Sequence, residues 1–513
     1  MAKHTASAPI RRQPKPRQPK PRRPKPRRPK AAQPTNADHL NALRLWLLGG
    51  RRLFDSLPSH GNRSWKPADL VWLALCWAWS SHRCLTAAFA DAASDCAHML
   101  GASPLGTYQG FMNALVGWTG QLLPPLQAAL HQLMQKIGGR FWRIDGWVPL
   151  AFDGSRSSAP RSRSNEEALC APRYGKGKTA KYRRKKTKGL RRRRVARHKQ
   201  RAQEPQAWIT LMWHMGLRQP WDWRLGPSNS SERAHVMEML AGTFPADTLF
   251  CGDAGFVGYP LWSLITRRGH DFVVRVGANA SLLTEQANWR WTGEGKSKRV
   301  LCWPKGASEQ GLPPLRLRLM QVQLGRTKVW LLTSVLEPER LTLAQAKRLY
   351  QMRWGLEVEF RGLKQTLERS KLCSRNAARL LAELDWSILA MAVAELFALK
   401  EQLSKRAARR AGRRQAGKER QQRAPDPSRR SLAKTMRALR GSLRALGSAP
   451  AEGRDLASQL REAVTDGYER KKGKASRSRA PNPDKKPLGD PKLRPLSREE
   501  RRKLQQVQEK AAA

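Results

Sequence analysis

The chain has 513 residues, enough for two or three domains, and carries 98 Lys and Arg against 40 Asp and Glu, a formal charge of +58. Charge on that scale exceeds what solubility requires and points to a polyanionic partner, nucleic acid first. Seven cysteines with no CxxC pair exclude a disulfide framework and a zinc site of ordinary spacing. The longest apolar runs, Leu70 to Trp79 and one around 386–399 interrupted by Glu395, fall short of the roughly 20 residues a membrane span needs.

Residues 1–36 repeat Gln-Pro-Lys-Pro-Arg at 13–17 and 18–22, with a close copy after, and hold no acidic residue. They read as a disordered basic arm that grips phosphates nonspecifically, or as a plain solubilising tail. With no apolar leader segment there, the protein is expected in the cytoplasm. From 37 to 140 apolar residues recur at helical spacing, with breaks at Leu57-Pro58, Gly101 to Pro104 and Pro124-Pro125. This predicts an all-α domain in which Trp72, Trp77 and Trp79 serve as core.

Over 141–400 the period becomes that of strands at Trp147 to Phe152, Ala207 to Gly216, Trp221 to Leu225, Thr248 to Cys251 and Asp271 to Val276. Helices intervene, one capped at Asn229 with Glu232 and one over Tyr259 to Arg268, so an α/β domain with a mixed sheet is expected. Short Trp-rich strands between about 277 and 338 read as a β-rich insertion, and Thr342 with Gln345 caps a long helix running to about Arg369. Residues 173–201 hold sixteen Lys or Arg and no acid, too many like charges to fold compactly alone. Residues 401–513 read as a basic tail, largely disordered and partly helical at best.

The long helix carries Tyr350, Arg353, Glu357 and Lys364, which at about 100° per residue fall at roughly 0°, 300°, 340° and 320°. That is one narrow stripe beside an apolar face. Glu359, at roughly 180°, lies beyond that face and is set aside as a ligand. On its own such a stripe is more often a surface salt-bridge row. Asp153 and Asp253 each close an apolar strand, and the carboxyl ends of strands in open α/β sheets are where sites form. Either could equally be a turn residue, as Asp145 is expected to be; Asp145 is the fallback for the first position. Three carboxylates from three segments suit a pair of hard Mg²⁺ ions, with Mn²⁺ as a substitute, in phosphodiester cleavage.

In this order of first Asp, second Asp, β insertion and Glu helix, with Tyr-x2-Arg-Trp-x2-Glu-x2-Phe-x2-Leu-Lys at 350–364, the chain resembles the DDE transposases of bacterial insertion sequences marked by a Tyr/Arg/Glu/Lys signature. The resemblance spans about Trp142 to Leu399. It implies an RNase H-like catalytic domain, a helical DNA-binding domain before it, and Asp153, Asp253 and Glu357 as the catalytic, metal-holding trio. It also implies double-stranded DNA partners, the transposon terminal inverted repeats and target DNA, engaged by a homodimer on the nucleoid. Arg353 and Lys364 are then expected on phosphates near the cut, with Tyr350 against the backbone or a displaced base. Arg275 reads either as a further phosphate contact or as a salt bridge to a carboxylate. Trp289, Trp291 and Trp303 could stack a flipped base, although a structural role in a small β module outweighs that reading. The basic loop 173–201 departs from the family pattern. A basic packaging protein has no use for placed carboxylates, whereas a two-metal nuclease of the same fold needs the same three; retention of the whole signature favours the transposase.

Overall fold

The computed structural model describes residues 35–49, 53–57, 65–170, 204–285, 297–325, 327–404, 426–446, 455–465 and 488–512. The basic arm up to residue 34, the loop 173–201 and both Trp289 and Trp291 lie outside the described residues.

Helix α1 (Asn36–Leu48) starts on a reciprocal cap: Thr35 Oγ1 accepts the Asp38 N–H, and the Asp38 carboxylate accepts the Thr35 N–H. Helix α2 (Pro67–Trp79) has Pro at its first position and buries every residue from Leu70 to Trp79. Helix α3 (Leu85–Leu100) stops at Gly101, whose φ of 84° only glycine adopts cheaply. Helix α4 (Tyr108–Gly138) runs straight through Pro124-Pro125, where a break is expected from the sequence. Leu122 and Leu126 are buried on either side of the pair, while Gly120 and Gln121, whose carbonyls lose their N–H partners, are exposed to water.

The middle of the chain supplies one sheet. Its elements are β1 (Val148–Ser158), α5 (Arg163–Leu169), β2 (Gln206–His214), β3 (Gln219–Gly226), α6 (Glu232–Met239), β4 (Thr248–Gly252), α7 (Tyr259–Arg267), β5 (Asp271–Val276), β6 (Ser281–Thr284), β7 (Ser297–Cys302), α8 (Lys305–Glu309), β8 (Leu315–Leu324) and β9 (Thr327–Thr333). Strands β1, β2 and β3 are antiparallel neighbours, and β1, β4 and β5 run parallel. The β insertion is no separate module, because β9 pairs antiparallel with β5 and extends the same sheet. Helix α6 is capped by Ser231, whose Oγ accepts the Ala234 N–H, two residues later than the expected Asn229 cap.

The expected single helix from Thr342 to Arg369 is segmented into α9 (Leu343–Met352), α10 (Gly355–Arg361) and a π turn over Gly362–Thr366. The Thr342–Gln345 cap forms as expected. At Gly355 the backbone comes so close to Trp213 on β2 that a Cβ would collide with the indole, and at Gly362 a Cβ would stand 2.7 Å from Leu432 Cδ2. Both glycines let this helix press against its neighbours.

Helix α11 (Ala377–Leu403), α12 (Leu432–Arg444), α13 (Leu456–Glu462), β10 (Lys492–Pro495) and α14 (Arg498–Ala512) complete the chain. The helical region before the sheet does not stand apart from it. Trp79 Nε1 donates to Ala390 O at 2.9 Å and Trp386 Nε1 donates to Thr119 Oγ1 at 2.9 Å, so α2 and α4 share one core with α11. The reading of 401–513 as a largely disordered tail is also corrected where that segment is described. Met436, Leu439, Leu456 and Leu460 are buried, Gln402 donates to Leu460 O, and β10 adds to the sheet beside β6. Lys and Arg dominate the composition there, yet α12 keeps an apolar stripe at three- and four-residue spacing that charge counting overlooks. Among the described residues no helix is long and apolar enough to cross a membrane, and all seven cysteines are free thiols.

Candidate active site

The parallel pairing of β1 with β4 ends with Ala151 opposite Cys251. Asp153 and Asp253 each lie two residues further on, so both side chains leave the same edge of the sheet at the same register. Asp153 is still within β1, opposite Leu211 of β2, rather than just after the strand as the sequence suggests. Strand β4 ends a residue before Asp253, whose Oδ1 accepts the Gly255 N–H at 2.7 Å and starts a short 3₁₀ turn. Gly252 keeps this edge tight, since a Cβ there would stand 2.7 Å from the Phe152 ring.

Helix α10 approaches the edge from the β1 and β2 side. Arg353, at its start and 5% exposed, donates from Nη1 to Asp153 Oδ2 at 3.2 Å. Burial works against the charge on Arg353, but Tyr350, Asp153 and Asp253 outweigh it and hold the guanidinium above its ordinary pKa. The Arg353 guanidinium also lies 5.4 Å from the centre of the Tyr350 ring. Lys364 Nζ donates to Ser155 Oγ at 2.6 Å. Ser155 is two residues past Asp153, on the same face of β1. Burial lowers the Lys364 pKa. Glu357 is exposed on α10, and its charge reaches Asp153. The Asp153 carboxyl is raised, first by burial and further by Asp253 and Glu357, while the Gly154 N–H and Arg353 pull it down.

Other expected residues fall elsewhere. Glu359 is buried between Glu395 and Arg430, away from this edge, and burial together with Glu395 pushes its carboxyl well above the usual carboxylate range. Asp145 is a turn residue at φ 52°, ion-paired to Arg348 at 2.7 Å. Arg275 continues the β4 and β5 register beside Asp253, yet makes no salt bridge to either aspartate. Trp303 is 4% exposed and donates to Leu312 O at 2.7 Å, which makes it core and not a stacking surface.

Three features escape a reading of the sequence. Trp354 is 55% exposed beside Arg353, where the helix is interrupted. Arg430, from the C-terminal segment, is buried against Glu395 at 3.4 Å and donates to Leu217 O and Arg218 O. Glu232 lies against the two aspartate loops, although its place at a helix start reads only as a cap. The Trp-Gly step after Arg353 is the one signal that could have marked the first of these.

The donor set is carboxylate oxygen, which suits a hard divalent cation. Among the described residues no three His, Cys, Asp or Glu side chains are drawn around one point, and one Asp153 oxygen is engaged by Arg353. Asp153 and Asp253 share an edge, and Glu357 is exposed on the helix beside it.

Residues 150–393 match the family model of the transposase DDE domain. No curated protein matches the sequence. Among solved structures the chain is similar to a piggyBac transposase synaptic complex with hairpin DNA, at 12% identity and TM-score 0.36, with 85% of this chain and 86% of that chain covered.

Proposed function

We propose that this DNA transposase, whose DDE domain spans residues 150–393, cuts transposon ends and joins them to target DNA with Asp153, Asp253 and Glu357 as its catalytic carboxylates. The observation that carries the reading is the matched register of Asp153 and Asp253 past the β1 and β4 edge, with Glu357 near enough for its charge to act on Asp153. The strand order β3-β2-β1-β4-β5, three antiparallel and then two parallel, supports an RNase H-like catalytic fold. The 350–364 segment supports membership of the Tyr/Arg/Glu/Lys group.

The three carboxylates fit two Mg²⁺, with Mn²⁺ in their place when supplied. Bound as a pair, such ions stabilise both the attacking and the leaving oxygen of an in-line displacement. Arg353 has a second task. While it bonds Asp153 it holds that side chain at the edge, and on DNA its guanidinium can turn to a phosphate. Lys364, fixed on Ser155, places a cation along the same face of β1 for the strand that runs past Asp153. Arg275 presents another beside Asp253. Trp354 offers an exposed indole next to the scissile position, and we assign to it the stacking of an unpaired base at the DNA end.

The partners in this reading are double-stranded terminal repeats and target DNA, held by a homodimer, since two ends must meet. The test is cleavage and joining of DNA flanking the gene for this chain, by the wild type and by Glu357→Ala, in Mg²⁺ or EDTA. Discrete metal-dependent cuts at inverted repeats, followed by joining and lost in the variant, are expected. Equal cutting by the variant would overturn the assignment of Glu357.

A further inference from the structure

Glu232 is the first residue of α6, where the helix dipole favours an acidic side chain. The dipole does not explain where its carboxylate goes. Glu232 Oε1 lies so close to Gly154 that a Cβ at 154 would collide with it, and Oε2 lies 3.9 Å from where a Cβ on Gly255 would stand. Gly154 directly follows Asp153, and Gly255 is two residues after Asp253 and donates to it. The carboxylate of Glu232 is thus wedged between the two segments that carry the aspartates. The charges acting on it there are mostly like its own: Asp153 and Asp253 both disfavour its ionised form, and Arg156 opposes them. Burial adds to this, and together they push its pKa up to about 7. A half-buried carboxylate set against two others costs stability unless a cation is shared among them.

We propose that Glu232 is a fourth carboxylate of the active site, an oxygen donor that with Asp153 and Asp253 receives the divalent cations, directly or through their water. Two such cations carry four positive charges, and Asp153, Asp253 and Glu357 balance three. Glu232 supplies the fourth, so the pair can be seated before a DNA phosphate contributes. Gly154 is then required because any side chain there takes the space of Glu232. The proposal rests on the reading that Asp153 and Asp253 hold the metal.

The experiment is Mn²⁺ binding to the full-length protein without DNA, measured by the loss of the free-ion electron paramagnetic resonance signal. Wild type, Glu232→Gln, Glu232→Asp, Asp153→Asn and Glu238→Gln are compared; Glu238 is exposed on the same helix. Glu232→Gln is expected to weaken binding about 10- to 100-fold, the range typical when a residue that supports a metal is removed. Glu232→Asp should weaken it less, and Glu238→Gln not at all. The metal-free Glu232→Gln protein should melt no lower than wild type, because the repulsion from Asp153 and Asp253 that it loses outweighs the attraction to Arg156 and the helix dipole. Wild-type affinity in Glu232→Gln together with a loss in Asp153→Asn would overturn the proposal and leave the trio standing. Wild-type affinity in both would overturn the trio as well. Should Glu232→Gln fail to fold, unchanged binding by a folded Glu232→Asp would equally overturn the proposal.

Discussion

Two glutamates on α10, with one residue between them, have opposite fates. Glu357 is exposed at the sheet edge, where its charge meets that of Asp153. Glu359 points to the far side of the same helix, 5% exposed, and its pKa is raised by burial and by Glu395. Arg430 closes the cluster with an ion pair to Glu395. One face of the helix leaves its carboxylate exposed, and the other uses its polar groups for anchoring. The difference teaches that the helix carrying Glu357 is anchored by a buried cluster to which the C-terminal segment contributes Arg430, 73 residues downstream (430 minus 357).

Removing the exposed glutamate should have the largest effect on chemistry and almost none on stability. Glu357→Ala is expected to lower cleavage to background while DNA binding, carried by the basic surfaces, persists in a gel-shift titration. The anchor should behave in reverse. Arg430→Met leaves Glu395 buried without its cation and is expected to cost about 3 to 5 kcal/mol in urea unfolding, with cleavage falling only as the folded fraction falls.

Acid should also strike the buried side. His214 Nδ1 accepts the Leu217 N–H at 3.1 Å, and His131 stacks on Trp221 with centroids 3.7 Å apart, so both are neutral in the fold. Burial lowers them to about 3 and about 4 respectively. Each folded pKa lies below the unfolded value near 6.5, so the unfolded chain takes up the protons first. Stability is complete above pH 6.5 and should fall by roughly 1.4 kcal/mol per pH unit for each histidine as pH drops toward those values. A flat melting temperature between pH 7 and 5 would contradict this.

At the edge, Trp354→Ala should weaken binding to a DNA end with an unpaired base by about 1 to 3 kcal/mol and leave fully paired duplex unaffected. The smallest effect is expected for Glu359→Gln, within about 1 kcal/mol of wild type, because burial and Glu395 favour the neutral form of this carboxyl, which an amide can replace. A large loss there would mean that Glu359 is ionised, and the contrast between the two glutamates would fail.

Much of this was legible in the chain. Strand periodicity placed four of the five central strands within two residues and ended the first six residues short of Ser158, and the Thr342–Gln345 cap forms where its spacing predicts. The separation of Glu357 from Glu359 followed from 100° per residue, since both lie within the one unbroken turn pattern of α10. The interruption at 353–354 and the π turn were not legible, because they answer to Trp213 and Leu432, distant residues that crowd Gly355 and Gly362. The passage of α4 through two prolines likewise depended on which side of the helix faces water.

The sequence by itself determined the order of elements from the first helices to the Glu helix, the placing of Asp153 and Asp253 after apolar strand runs, and the side of the helix that carries Glu357, because each follows from local spacing along the backbone. Tertiary structure alone decided that Asp153 and Asp253 share one register, that Trp303 is core, that the C-terminal segment anchors the Glu helix, and that Glu232 comes to rest between the aspartates. Those facts are contacts between residues far apart in the chain, fixed by strand pairing and by burial, and no local pattern carries them.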